Sequence, residues 1–303
     1  MGYAAQIIRM SLISRIHREA EGFSGVLGVA VKHLRTGESA SLMGGELFPT
    51  ASVFKLPVIV ELYRQVDAGT LSLDEKMILR EEDKVPGSGV LKELSPGLAV
   101  TLRDLVELMM ILSDNTATDI VVEKVGMERV NEALRSLGLR RTKIVADCRD
   151  MLFDLIGLND IPEDEKTMAL YREKSKGVKL GGSWSLGTEH NDVTTPNEML
   201  RLVEMIVEGR AASRSSCDAI LETMSRCQTG TYRIAKYLPR ESVEVADKTG
   251  ALPGIRNDAG VVTLLESGER YVLSCFTKGA SDNYAAEEVI ARVSRGVYDH
   301  FTG

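Results

Sequence analysis

Two stretches of β-forming character frame a long helical middle in this chain. Residues 26 to 34 (VLGVAVKHL) and 38 to 43 (ESASLM) are short β-rich runs, and Arg35-Thr36-Gly37 between them reads as a hairpin turn. Residues 242 to 249, 259 to 266 and 270 to 277 have the same character, with LPGIRND and ESGER between them as the turns of an antiparallel meander. From 283 to 301 the apolar spacing is helical again, with Ala, Val and Ile on one stripe. Residues 52 to about 228 are predicted to be almost all helical. Thr101 precedes LRDLVELMMIL with Asp104 in the capping-box position, and Gly126 and Gly138 stand where helices are expected to end. MERVNEALRSLG and TPNEMLRLVEMIVEG show i, i+3, i+4 patterning, the second opened by Pro196. The segment 147 to 193 is the irregular part, with acidic NDIPEDE, a charged helix around MALYREK, and GGSWSLG carrying the only tryptophan, Trp184. The first 25 residues read as an amphipathic helix interrupted by arginines.

Two strands, a helical block and three strands predict an α/β (α+β) fold. A five-stranded antiparallel sheet would be assembled from both ends of the chain and flanked by N- and C-terminal helices, with an all-helical lobe inserted. The expected division is a single domain, 1 to 303, with an α/β lobe at 1–49 and 229–303 and a helical lobe at 50–228.

Composition narrows the class of partner. A hydrophobic fraction of 44% and a charged fraction of 27% are those of a globular protein. A formal net charge of -7 argues against nucleic-acid and anionic-membrane partners, both of which select basic surfaces. No run approaches the ~20 apolar residues of a membrane span. No export signal is visible and Gln6 does not fit N-myristoylation, so the expectation is a cytoplasmic protein or a mature exported form with its signal removed. Cys148, Cys217, Cys227 and Cys275 are too scattered for a disulfide framework, and His17, His33, His190 and His300 too far apart for a metal site. No metal or organic cofactor is expected, and the chain is expected to be a monomer.

Against this background three polar insertions stand out. In TASVFKLPVIVELY, residues 50 to 63, Ser52 and Lys55 lie three apart in an apolar run and would share one helix face. A lysine buried there must be paired or give up its charge, and a neutral amine beside a serine hydroxyl can remove its proton. The helix N-terminus would add N–H groups suited to an oxyanion. Ser-x-x-Lys alone arises about once by chance in a chain like this, and taken alone it reads as Ser52 capping a helix with Lys55 reaching solvent. The second insertion is Ser113-Asp114-Asn115 between two apolar helices, which alone reads as a connector. The third is Lys248-Thr249-Gly250 at a strand end, where a cation, a hydroxyl and a glycine would hold a carboxylate against open backbone.

Ser-x-x-Lys, Ser-Asp-Asn and Lys-Thr-Gly in that order resemble the signature of class A β-lactamases and penicillin-binding proteins. The resemblance runs from about residue 24 to the C-terminus. It takes in SVFKLPV, SDNTATD, the TTP turn before NEMLRLVEMI, and KTG followed by NDAG. It implies serine hydrolysis of a β-lactam or peptide-like small molecule through an acyl-enzyme. Ser52 would be the nucleophile, Lys55 its general base, Ser113 the proton shuttle to the departing nitrogen, and Lys248 the group that tunes Ser113. Asn115 would hold the substrate's side-chain amide and Thr249 its carboxylate. Gly250 would leave room for the ligand, and the N–H groups of Ser52 and Ala251 would form the oxyanion hole. Arg256 would be either a further carboxylate anchor or a solvated hairpin arginine.

The match weakens where such β-lactamases carry a glutamate, in Glu-x-x-Leu-Asn, that activates water for deacylation. In LIGLNDIPEDEKT, residues 155 to 167, Leu158-Asn159 fits, but the glutamate position falls on Leu155. Asp154 is one residue off, and Glu163, Glu165 and Glu189 are the other carboxylates at hand, the middle two read as surface acids. With a base in place the chain would be a β-lactamase. Without one, the alternatives are a D-Ala-D-Ala peptidase or esterase of the same fold, or a penicillin-binding sensor that stays acylated. Trp184 would be a lid over the site or a core anchor.

Overall fold

The computed structural model of the chain describes residues 10–158, 160–178 and 191–303. Helix α1 (Leu12–Ala20), capped by Ser11, leads into β1 (Val26–His33) and β2 (Ser39–Leu42). The short β3 (Phe48–Pro49) precedes a single 3-10 turn, Ala51–Phe54, that runs straight into α2 (Lys55–Asp67). Then follow β4 (Lys76–Ile78), β5 (Ala99–Thr101), α3 (Leu102–Ile111), α4 (Asn115–Val125) and α5 (Met127–Ser136). Helices α6 (Cys148–Leu155) and α7 (Met168–Lys174), strand β6 (Val193–Thr194), and helices α8 (Pro196–Val207) and α9 (Arg214–Ser225) complete the middle of the chain. Strands β7 (Val243–Leu252), β8 (Ile255–Leu264) and β9 (Arg270–Lys278) and helix α10 (Asn283–Thr302) close it.

The five-stranded sheet expected from both ends of the chain is present, antiparallel throughout, in the order β2-β1-β9-β8-β7. Its central strands are buried on both faces, and the period of two decides what each residue meets. Val29, Val31, Leu273 and Cys275 point into a core completed by Leu12 and Ile16 of α1 and Val289, Val293 and Val297 of α10. Ala30, Val272, Phe276, Ala259 and Val261 point the other way, into the larger core formed with α2, α3, α4, α8 and α9. The register Val29↔Cys275 and Val31↔Leu273 keeps both faces apolar, and a slip of one residue would invert them.

Helix ends follow their capping chemistry. Thr101 and Asp104 form the reciprocal capping box on α3. Gly126, at φ +86°, ends α4, and Gly138, at φ +77°, follows α5. Thr195 caps α8 with Pro196 in its first turn.

Three expectations are corrected. LPGIRND is not a loop: strands β7 and β8 continue through it to the pair Leu252↔Ile255, leaving only Pro253-Gly254 as the turn, with Gly254 at φ +71°. The region 68 to 100 is largely non-helical and carries the β4–β5 pair, while β3 and β6 form a second two-stranded ribbon. Helix α2 begins at Lys55 rather than at Ser52, which sits in the preceding 3-10 turn. No helix among the described residues is long and apolar enough to cross a membrane.

Candidate active site

Ser52 is held in a turn that the surrounding side chains enforce. Ala51 takes φ +43°, a left-handed conformation that costs a non-glycine residue about 1 kcal/mol or more. The Asn257 amide on β8 donates to Pro49 O (2.8 Å) and Thr50 O (3.0 Å), and Thr50 N donates to Asp192 O (2.8 Å). Asp192 Oδ1 in turn accepts from Val145 N (2.7 Å) and Ala146 N (3.1 Å), and burial pushes its carboxyl up to about 7. The turn leaves Ser52 partly exposed, whereas Val53, Phe54 and Leu56 are buried in the larger core.

Lys55 follows one turn later and is fully buried. Its Nζ donates to Ser113 O (2.9 Å), Ser113 Oγ (3.1 Å) and Asn115 Oδ1 (3.1 Å), and not to Ser52 Oγ. Three donors to three oxygens is the full capacity of an ammonium. Burial nonetheless drives its pKa down from the ordinary lysine value, against the opposing pull of Cys148, Asp119 and Asp114. Lys248, equally buried on β7, donates to Ser113 Oγ (3.0 Å) and Thr249 O (2.9 Å). Burial, and secondarily the charge of Lys55, bring Lys248 down to about 7. Ser113 therefore accepts from two lysines at once, which occupies both lone pairs and leaves its own proton to point elsewhere. Its φ of +55° is how a serine between α3 and α4 is aimed at them.

Around this centre the motif residues tie neighbouring segments together. Asp114 caps α4 through Ala117 N (3.0 Å) and accepts from Val90 N (2.6 Å) and Leu91 N (2.8 Å). Asn115 Nδ2 donates to Pro86 O (2.9 Å), so one of its two N–H groups stays unclaimed. Thr249 Oγ1 lies 2.5 Å from Thr229 Oγ1. A Cβ at Gly250 would stand 2.6 Å from Thr50 O and 3.2 Å from Ser52 N, so only glycine lets β7 lie this close to the serine turn. Ala251, next along the same edge strand, is exposed.

The structure thus brings together Ser52, Lys55, Ser113, Lys248, Asn115, Thr249, Gly250 and Ala251. Arg256 is placed on β8 rather than in a loop, where it donates to Leu252 O (2.9 Å) and Ile255 O (2.8 Å) and pairs with Glu287 (3.0 Å). Sequence reasoning missed Arg233, which is buried and donates to Gly250 O (3.1 Å) and Asn257 O (2.8 Å) behind the strand carrying Thr249. It also missed Thr229 and Ser88; the hydroxyl of Ser88 reaches Ser113 O at 2.8 Å.

Among the described residues, the carboxylates considered for deacylation, Asp154, Glu163 and Glu165, do not converge on Ser52. Leu155 is buried with Ala51, Ala146, Met151, Leu252 and Ile255, so α6 turns an apolar face to the serine turn. Asp154, one residue back, lies about 100° round that helix, and partial burial raises its carboxyl. Glu163 is exposed and bound to Lys166 (2.9 Å) and Arg149 (3.5 Å), and Glu165 is exposed. Asn159, Trp184 and Glu189 lie outside the described residues. No group of three or more metal-ligating side chains forms among the described residues.

A partly exposed serine on a strained turn, two buried lysines on a second serine, and a sheet edge pressed against them define a serine hydrolase. The chain belongs to the β-lactamase enzyme family, whose sequence model matches residues 11–301. A β-lactamase of Bacteroides uniformis is 27% identical over 95% of this chain and 90% of its own. The crystal structure of a β-lactamase from Sphaerobacter thermophilus superposes with a TM-score of 0.76 at 31% identity, covering 94% of each chain. A leucine-to-glutamate mutant of PBP-A, solved as an acyl-enzyme with penicillin G, superposes with a TM-score of 0.76 at 26% identity over 96% of this chain and 95% of that one.

Proposed function

We propose that this protein opens β-lactam amides by acylation of Ser52 and that release of the acyl group is the slow half of its cycle. The observation that carries the reading is the pair of buried lysines converging on Ser113 beside the Ser52 turn. Loss of one proton from Lys55 frees a lone pair one helical turn from Ser52, and this amine takes the serine proton as Oγ attacks the ring carbonyl. The N–H groups of Ser52 and Ala251 would receive the developing oxyanion; the close approach of Gly250 to Ser52 N supports this pairing. Ser113, accepting from both lysines, has its proton free for the departing ring nitrogen. The unclaimed N–H of Asn115 would donate to the substrate's side-chain amide. Thr249 and Thr229, with the buried cation of Arg233 behind them, would receive its carboxylate.

The apolar face of α6 supports the second half of the reading. A water poised to attack the ester needs a base on that side, and Leu155 offers none. This favours a long-lived adduct. The likeness to PBP-A, whose leucine-to-glutamate mutant was solved as an acyl-enzyme with penicillin G, supports acylation by penicillin rather than the lifetime of the adduct. A peptidase or esterase of the same fold would use the same acylation machinery on a peptide-like substrate.

Rapid acid quench and intact mass after mixing with penicillin tests both halves. The expected result is a penicilloyl adduct on Ser52 that accumulates during turnover and is lost in folded Ser52→Ala and Lys55→Met variants. Normal labelling of Ser52→Ala, or fast hydrolysis with no adduct at saturating substrate, would overturn it.

A further inference from the structure

The loop Val85-Pro86-Gly87-Ser88-Gly89-Val90 is stitched to the Ser113-Asp114-Asn115 turn along its length. Val85 N donates to Thr116 Oγ1 (2.9 Å), Asn115 N to Ser88 O (3.1 Å), and Val90 N to Asp114. Gly87 and Gly89, at φ +89° and +101°, bend the loop so that the serine between them faces the turn. A Cβ at Gly87 would stand 2.7 Å from Asn115 Nδ2, and one at Gly89 would collide with the Asp114 carboxyl. The Ser88 hydroxyl, on the solvent side of this junction, donates to Ser113 O at 2.8 Å and shares the same proton with Asn115 Oδ1 at 3.2 Å. Those are two of the three oxygens that hold Lys55 Nζ.

We propose that Ser88 is a positioning residue for acylation: by donating to two of the three oxygens that hold the Lys55 ammonium, it competes for them and keeps Lys55 ready to release its proton. The proposal rests on the reading of Lys55 as the base for Ser52. A carbonyl or amide oxygen that already accepts one proton is a poorer acceptor for a second. Removing the Ser88 hydroxyl therefore tightens the hold of Ser113 O and Asn115 Oδ1 on the ammonium. The same hydroxyl fixes which way the Asn115 amide faces, because a flipped amide would set two donors against Ser88 and Lys55. The charged and titratable groups acting on Lys55 come from every side: Asp114 in the turn, Asp119 on α4, Cys148 on α6 and Lys248 on β7. None of them changes when Ser88 is altered.

The test is a titration of Lys55 by NMR with 13Cε-labelled lysine, its signal assigned by its absence in Lys55→Met. It is read beside the pH profile of acylation by a chromogenic penicillin. In Ser88→Ala, the Lys55 titration and the acidic limb of acylation should move up together by about half to one pH unit, a 3- to 10-fold loss of rate on that limb. Ser88→Thr, which keeps the hydroxyl, should restore both. An unmoved Lys55 titration in folded Ser88→Ala overturns the proposal, even if the plateau rate falls. If the wild type forms no Ser52 adduct, the proposed function fails instead, and the Lys55 titration still reads the competition.

Discussion

Replacing Leu155 by glutamate puts a carboxylate on the α6 face that closes against the serine turn. Leu155 is 5% exposed and shares a buried cluster with Ala51, the neighbour of Ser52, and with Leu252 of β7. Losing its apolar burial costs about 2 kcal/mol, and an unpartnered carboxyl in the same place costs a further 1–3 kcal/mol. Against a stability of about 5–15 kcal/mol the variant should fold but melt markedly lower. In return it gains a base next to the ester, worth about 10² to 10⁴ in the deacylation rate. The apolar surroundings raise that carboxyl, so the gain should grow with pH as the group ionises. Stopped-flow hydrolysis and quench-mass measurement of adduct lifetime should be run on wild type, Leu155→Glu and Leu155→Gln. The glutamine variant controls for shape and polarity without a base. Formation of the adduct should be alike in all three, and its decay fast only in the glutamate variant. A folded Leu155→Glu protein whose adduct persists as long as that of Leu155→Gln would refute the idea that a base is missing at this place.

Two further perturbations test the scaffold. Gly250→Ala drives a methyl group to within 2.6 Å of Thr50 O and parts β7 from the Ser52 turn, so acylation should slow by about 100-fold or more while circular dichroism stays native; an unchanged acylation rate would show that the two backbones need not touch. Asp192, pushed up to about 7 by burial, holds in the fold a proton that the unfolded chain releases above about 4. Wild type should therefore lose stability as pH rises from about 4 to about 7, by up to roughly 4 kcal/mol. Asp192→Asn should show a shallower slope, the remainder coming from the other buried carboxyls raised by burial, Asp119, Asp147 and Asp258, and equal slopes in thermal melts of the two proteins would assign it wholly elsewhere.

The sheet, the long helices and the three motif segments were readable because each rests on a local signal: β-rich runs bounded by turn residues in β1 and β9, the Thr101–Asp104 cap, and a polar trio inside apolar runs. The ribbons β3–β6 and β4–β5 were not, since strands of two or three residues carry no period and exist only through distant partners. LPGIRND looked like a loop because Pro and Gly punctuate it, yet two residues suffice for the turn. Ser88 reads as loop filler between two glycines, and Arg233 as a surface cation, because arginine is seldom buried. Both acquire their meaning from bonds across 25 or 17 positions of sequence. Leu155 is the opposite case: its sequence position already placed an apolar residue where a glutamate was expected, and the fold adds that α6 packs it inward.

The pairing of β1 with β9 has a consequence for how the molecule is made. Val26 finds its partner in Lys278, about 250 residues later. At roughly 5–20 residues per second, β1 and β2 leave the ribosome tens of seconds before β9 can pair with them. Through that interval their hairpin offers an unpaired, apolar edge, the kind of surface that captures stray strands. The helices between 102 and 225 contact one another over shorter separations and can assemble in the meantime. During synthesis, then, the serine turn and its two-lysine centre must wait: Lys55 and Ser113 are placed early, but Lys248 and the edge of β7 arrive last. The proposed site is complete only when the sheet closes, so a nascent chain still lacking β7 is expected not to be acylated at Ser52.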